Sequence, residues 1–505
     1  MSGTDGSTKT GDGTLIFSGA HTFTGAVTVS EGIVSVRHAT GLGTTAGGVI
    51  VSSGAVLEIQ GGIAIGAEAL TLNGMGISSN GALRNISGSN SYAGAITLGS
   101  ATEIQSHAGT LTLSGRISGA TQNLTIDGAG DTTISSGITT TTGTLTKDGA
   151  GTLLLNGTNN FSGVTTPNDG TLAVDGNQDR DRLSSNADVA INDDGTFEIR
   201  GVNALDTSAN AVNFTVNDGG TLGIVSGTST HGGTQSHAHL GDITLDGGTA
   251  DLSYSGAGTA YANESAVIQG DVTVTDDSII QFGSGADTTN AGLSLSGTTS
   301  FDVSSGSTLT VTAELGGSGA LTKAGTRTML LDGENSLTGA TTVNAGTLAV
   351  DGNQEQDRLV ANAQVTVNND GTFEFRSVNA TSVGDQVDFT FNGSGISSSG
   401  ALQMVTNTAN TWSGSVAVAS TSEIEVTANA TLVISGNITG ANTLTVESIG
   451  DTTFTGTNSF NTLTKTGAGN LTVSTDNNTY VTANINAGDF TLGTSNILSD
   501  AMDVN

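Results

Sequence analysis
The chain has 505 residues, of which 75 are glycine, one is proline (Pro167) and 4% are aromatic, a usage that does not fit three or four ordinary globular domains. Thirteen Lys and Arg against 46 Asp and Glu give a formal charge of -33, which repels nucleic-acid phosphates and anionic lipid headgroups and sets both aside as partners. No cysteine is present, which excludes disulfides, thiolate metal sites and a cysteine nucleophile.

The opening Met1-Ser2-Gly3 begins no basic-then-apolar leader, and no run of about 18 apolar residues follows, so the chain as written is expected to have no transmembrane segment. Residues 11–36, GDGTLIFSGAHTFTGAVTVSEGIVSV, form a short repeat. A longer module occupies 77–133, and 145–206 opens LTKDGAGTLLLNGTNNFSGVTTPNDGTLAVDG. After a divergent middle at 207–320, residues 321–381 repeat 145–206 at a constant offset of 176. Residues 396–453 repeat 77–133 with an offset drifting between 319 and 321, and 463–493 is a looser short copy. No proline-rich or charge-block linker interrupts the pattern. One continuous architecture over 1–505 is expected, made of stacked units rather than pocket-bearing globules.

Alternation assigns faces within a unit. Leu172 and Val174, Leu348 and Val350, and Val34 and Val36 point inward. So do Leu153 with Leu155, Leu15 with Phe17, Met329 with Leu331 and Leu471 with Val473, while Ile16, Leu154, Leu330 and Thr472 between them face out. Glycine and asparagine fall between strands, where corners require left-handed backbone angles. Strands of three to five residues in repeats of roughly 19 to 25 predict an all-β fold, a right-handed parallel β-helix forming one elongated rod; a β-sandwich is the competing answer. About 20 to 25 coils at ~4.8 Å each would span on the order of 100 Å. Pro167 stands where the other copies have Val29 and Val343, and is expected to cost a ladder hydrogen bond or mark a bulge.

Several residue groups are candidates for chemistry. His231, His237 and His239, with Asp242, make the one histidine cluster, a set able to bind zinc, nickel or copper. A glycine-rich loop with incidental histidines is the simpler account. Asp179, Asp181, Glu355 and Asp357 lie in the duplicated DGNQDRDR and DGNQEQDR, where carboxylates could hold calcium (Ca2+). The pairs Asp181-Arg182 and Asp357-Arg358 point instead to salt-bridged loops. No other cofactor is implied. Asp193-Asp194 and Asp276-Asp277 are the adjacent acids that glycosidase chemistry could use, but neighbours on a strand face opposite ways, and no nucleophile turn accompanies them, so an enzyme is not expected. Trp412, Tyr92, Tyr254, Tyr261 and Tyr480 could stack on sugars; Tyr92 and Trp412 occupy equivalent places in two modules and read better as corner packing.

The string Leu-Thr-Lys-x-Gly-x-Gly-x-Leu-x-Leu, then Asn-x-Phe-Ser-Gly, then Thr-x-Asn-x-Gly-Thr-Leu, resembles the passenger-associated strand repeat of bacterial autotransporters. The resemblance is closest at 145–174, near at 321–350, and partial at 11–36 and 463–492. It implies a parallel β-helix on a Gram-negative cell surface, in adhesion, aggregation or matrix formation. The sequence as written is expected to hold no counterpart of the C-terminal membrane barrel of such proteins. Together these features predict an extracellular structural solenoid that forms a fibre, layer or matrix as a homo-oligomer or filament through end-to-end or lateral contacts. A glycan- or host-binding adhesin is the alternative, with a polysaccharide-degrading enzyme third.

Overall fold
A triplet such as Leu-x-Leu in an extended chain buries two side chains and presents one, so a short strand suffices to cover one side of a narrow core. The computed structural model describes residues 1–175, 182–183, 187–200, 204–205, 211–225, 238–251, 266–281, 292–304, 306–333, 335–351, 363–376, 387–405, 409–474, 478–493 and 503–504. Among these residues there is no α-helix, and the one helical element is the 3-10 turn Ile396–Ser398. Their strand pairings are parallel throughout, as in Thr152–Leu155 on Asp169–Asp175 and Thr341–Asp351 on Gln364–Arg376.

The described residues fall into two compact units, one within 1–241 and 248–251, the other within 242–247, 266–281 and 292–504. Each is a parallel β-solenoid. In the first unit Thr152 stacks on Thr171 and Thr171 on Thr196, giving coils of 19 and 25 residues. The inward neighbours Leu153, Leu172, Phe197, Leu222 and Ala250 follow in the same register, all buried. The second unit stacks Leu309, Met329, Leu348, Phe373, Leu402 and Ile424 in the same way. The inward assignments made from alternation hold, except that Leu15 is half-buried. Ile16 is exposed, and Leu154, Leu330 and Thr472 are half-buried on the outer side.

Pro167 behaves as its chemistry requires. Its strand pairs with the preceding coil from Thr165 to Pro167, but only Thr165 pairs forward, with Val189. In the duplicate, Thr341, Thr342 and Val343 all pair with the next coil. Lacking an N–H, Pro167 keeps only its carbonyl in the forward ladder, accepting from Asn192 N at 3.0 Å.

The expectation for asparagine is overturned. Among the described residues Asn429 is the asparagine with positive φ; serines and threonines such as Ser78, Ser79, Thr121 and Thr141 take that conformation instead. Asparagines stack. Asn168 donates Nδ2 to Asp148 Oδ1 at 2.8 Å, Asn192 to Asn168 Oδ1 at 2.8 Å, and Asn217 to Asn192 Oδ1 at 2.6 Å. In the second unit Asn368 donates to Asn344 at 2.7 Å and Asn392 to Asn368 at 3.1 Å. The register that stacks the strands brings equal side chains to hydrogen-bonding distance, so an amide, with both donor and acceptor, continues the ladder outside the backbone.

Candidate functional site
The alternation that buries Leu145 and turns half-buried Thr146 outward also turns Lys147 inward, into a column between Ile126 and Pro167. A buried ammonium must find acceptors or lose its charge. Lys147 Nζ donates to the carbonyls of Asp148 at 2.9 Å, Gly149 at 2.5 Å and Asp169 at 3.1 Å. Lys323 donates to Ala324, to Gly325 at 2.9 Å and to Ala345 at 3.2 Å. Lys465 donates to Thr466, to Gly467 at 2.7 Å and to Ala487 at 3.3 Å, and Lys9 to Thr10 at 3.0 Å, to Gly11, and to Glu31 at 3.1 Å. The acceptors thus fall at positions +1, +2 and +22 every time, so three N–H donors tie a corner to the coil above it. Burial lowers the pKa of Lys147 and Lys465 and takes Lys323 down to about 8, against the opposing pull of nearby carboxylates, Asp302 in the case of Lys323.

Two glycines make room for each clamp. Gly149 and Gly325 have φ of +71°, and Gly170 and Gly346, one residue past the upper acceptor, have +61° and +68°. A Cβ on Gly346 would lie 2.5 Å from the Gly325 and Arg327 carbonyl oxygens. A buried asparagine closes the next corner: Asn159 accepts from Ile138 N at 2.9 Å and donates to Gly157 O at 3.2 Å, and Asn335 accepts from Leu315 N at 2.9 Å and donates to Gly333 O at 3.2 Å. His21 takes this place in the first repeat, its Nδ1 2.8 Å from Gly41 O.

The long module contributes a different corner. In 76–81, Gly76, Ser78, Ser79 and Gly81 all have positive φ, and in 395–400 Gly395, Ser397, Ser398 and Gly400 repeat the pattern. Each left-handed serine costs on the order of 1–2 kcal/mol, so something must hold it. In the first copy Arg84 donates to Ile77 O at 3.0 Å, to Gly81 O at 3.2 Å and to Asn80 O, while facing Glu58 at 3.7 Å. In the second, Thr372 Oγ1 accepts from Ile396 N at 3.0 Å and donates to Gly400 O at 2.9 Å; Gln403, in the place of Arg84, donates to Glu425 at 2.7 Å.

The outer faces carry hydroxyls and carboxylates. Thr152, Thr171, Thr196, Thr221 and Thr249 form one half-buried outward column in the first unit. Many acids cap the next coil: Asp131 accepts from Thr152 N at 3.0 Å, Asp271 from Ser300 N at 2.8 Å, and Asp388 from Ser415 N at 2.8 Å.

His231 and His237 lie outside the described residues, as do Asp179, Asp181, Glu355, Asp357, Tyr254 and Tyr261. His239 is half-buried in the strand Ala238–Asp246, and Asp242 accepts from Asp271 N at 2.9 Å. Arg182 is buried and donates to Asp175 O. No three acidic or histidine side chains converge on a metal-sized space among the described residues. Asp277 accepts from Thr308 N at 2.6 Å and Asp276 from Asp277 N at 2.7 Å; Asp193 sits at a corner with φ +35°, and Asp194 stacks on Asp169. Tyr92 and Trp412 are core residues, not platforms: Tyr92 is fully buried, and Trp412 packs against Phe389 and Phe375 at ring separations of 4.4 and 5.6 Å. Tyr480 lies in the strand Thr479–Ile485. The lysine clamp was missed in the sequence although alternation encodes it, because a charged residue is ordinarily read as solvated.

The four lysine corners coincide with the four matches of the family model described as Passenger-associated-transport-repeat, at residues 8–36, 145–174, 321–350 and 463–492. The chain thus matches that repeat at four places, each on a parallel β-solenoid. Among characterised proteins it is similar to the Adhesin BmaC autotransporter of Brucella suis biovar 1 (strain 1330), 39% identical over 74 residues, a stretch covering 15% of this chain and 2% of that protein. No solved structure matches.

Proposed function
We propose that this chain is an extracellular, cell-surface passenger solenoid that forms a fibre, layer or matrix by associating with copies of itself. One continuous stack over 1–505 is part of this reading. The observation that carries it is the internal sealing of each repeat: the clamps spend their polar groups on backbone carbonyls, leaving long outward columns of threonine and carboxylate as the surface open to a partner. A formal charge of -33 opposes association at low ionic strength, so assembly should strengthen as salt screens it. Electron microscopy of the purified protein over a range of concentration and salt tests this: fibres or sheets are expected, and dispersed particles under every condition would overturn it. The adhesin similarity supports a second reading, attachment to a glycan or host surface, with specificity in 207–320. Glycan-array binding without assembly would select it.

A further inference from the structure
The left-handed loops at 76–81 and 395–400 each lie against the strand of the next coil: a Cβ on Gly81 would sit 2.9 Å from Gln105 Cβ, and one on Gly400 would sit 2.9 Å from Glu425 N. In both copies that strand places a glutamate at the same position, Glu103 in Thr-Glu-Ile-Gln and Glu423 in Ser-Glu-Ile-Glu. Alternation turns both outward, where a carboxylate ordinarily meets water. Glu103 is nevertheless only 4% exposed, and its Oε1 has no hydrogen-bond partner. Around it stand Asp127 and Asp148 in the next two coils and Arg84 in the coil below, with Glu58 beyond Arg84. Glu423 is half-buried and hydrogen-bonded to the Glu447 side chain in the next coil, a contact between two carboxyls that needs a proton, with Glu425 on its own strand and Glu374 beside Glu425. The cation beside Glu103, Arg84, is already shared among Glu58 and three loop carbonyls, and Arg376 is paired with Glu374.

We propose that the two loops are proton-controlled latches, closed while Glu103 or Glu423 is protonated and loosened when a carboxylate forms beneath them. Burial first, then the neighbouring carboxylates, push both side chains up to about 7. With the loop open, each returns toward the ordinary 4.5, so the closed loop binds the proton more tightly than the open one. Loop stability is therefore full below about pH 4.5 and is lost as pH rises through about 7.

Hydrogen exchange on the full chain at pH 5 and pH 8, corrected for intrinsic rates, reads the opening of 74–85 and 393–404 separately. Opening should increase at least about tenfold at the higher pH. Glu103→Gln should abolish the change in the first loop and leave it in the second, and Glu423→Gln should do the reverse. A pH-independent wild type, or an undiminished response in the glutamine variants, overturns the proposal. Should either variant fail to fold, Asp127→Asn removes one neighbouring charge in the coil beyond; it should shrink the response of the first loop, and an unchanged response there also overturns the latch.

Discussion

The short repeats and the long modules solve the same problem, a tight corner between stacked strands, with opposite degrees of freedom. All four short repeats use one lysine on carbonyls at +1, +2 and +22. The two long modules fold the same left-handed loop but hold it with Arg84 in one case and Thr372 in the other. The lysine reaches its corner from inside, where one ammonium supplies all three donors. The loop is held from outside, where groups on either of two strands come within reach. The lysine corner thus fixes its chemistry, and the serine loop fixes only its geometry.

Breaking the outer lock should separate the two copies most. Arg84→Ala removes three loop hydrogen bonds and the ion pair with half-buried Glu58, so a loss of about 3–5 kcal/mol is expected in urea unfolding. Next comes the inner clamp: Lys323→Met leaves three carbonyls unsatisfied and should cost about 2–4 kcal/mol, and Lys323→Arg should not rescue it, since a planar guanidinium cannot meet three carbonyls arranged for an ammonium. Rescue by arginine, seen as a restored urea midpoint, would contradict the claim that the inner corner is chemically fixed. Thr372→Val should cost about 1–2 kcal/mol, and a loss equal to that of Arg84→Ala would erase the contrast between the copies. The smallest effect sharpens the comparison inside the core. In the first module Asn90 donates to Asn85 at 2.6 Å, whereas in the second Asn410 meets Met404 Sδ at 3.2 Å and its Oδ1 is unpartnered. Met404→Leu keeps the apolar volume but takes the sulfur acceptor from Asn410 Nδ2, and should cost about 0.5–1 kcal/mol, measured as a lower midpoint for the second unit.

Much of the fold was written in the period-two pattern. Leu172, Val174, Leu348 and Val350 fall inward because a strand offers no third option, and the repeat lengths gave the coil. Pro167 announced its own defect. The corners were harder, since what decides them is a neighbour some 20 residues away. Asn168 looks like a turn former until the register places Asn192 beside it, and Lys147 looks solvated until its column is traced. Tyr92 and Trp412 were correctly paired across modules, and their burial follows from lying on the inward side. The duplicated Ser-Ser loops left no trace in the alternation, because two successive left-handed serines are sustained by Arg84 and Thr372 rather than by their own preference.

Because every partner of the lysine clamp is main chain, the identity of the side chains at those positions is unconstrained by it. Asp148, Ala324, Thr466 and Thr10 serve alike at the first acceptor, as do Asp169, Ala345, Ala487 and Glu31 at the third. The clamp itself leaves such positions free to vary. A lineage can recolour its corners in charge and shape without disturbing the scaffold beneath.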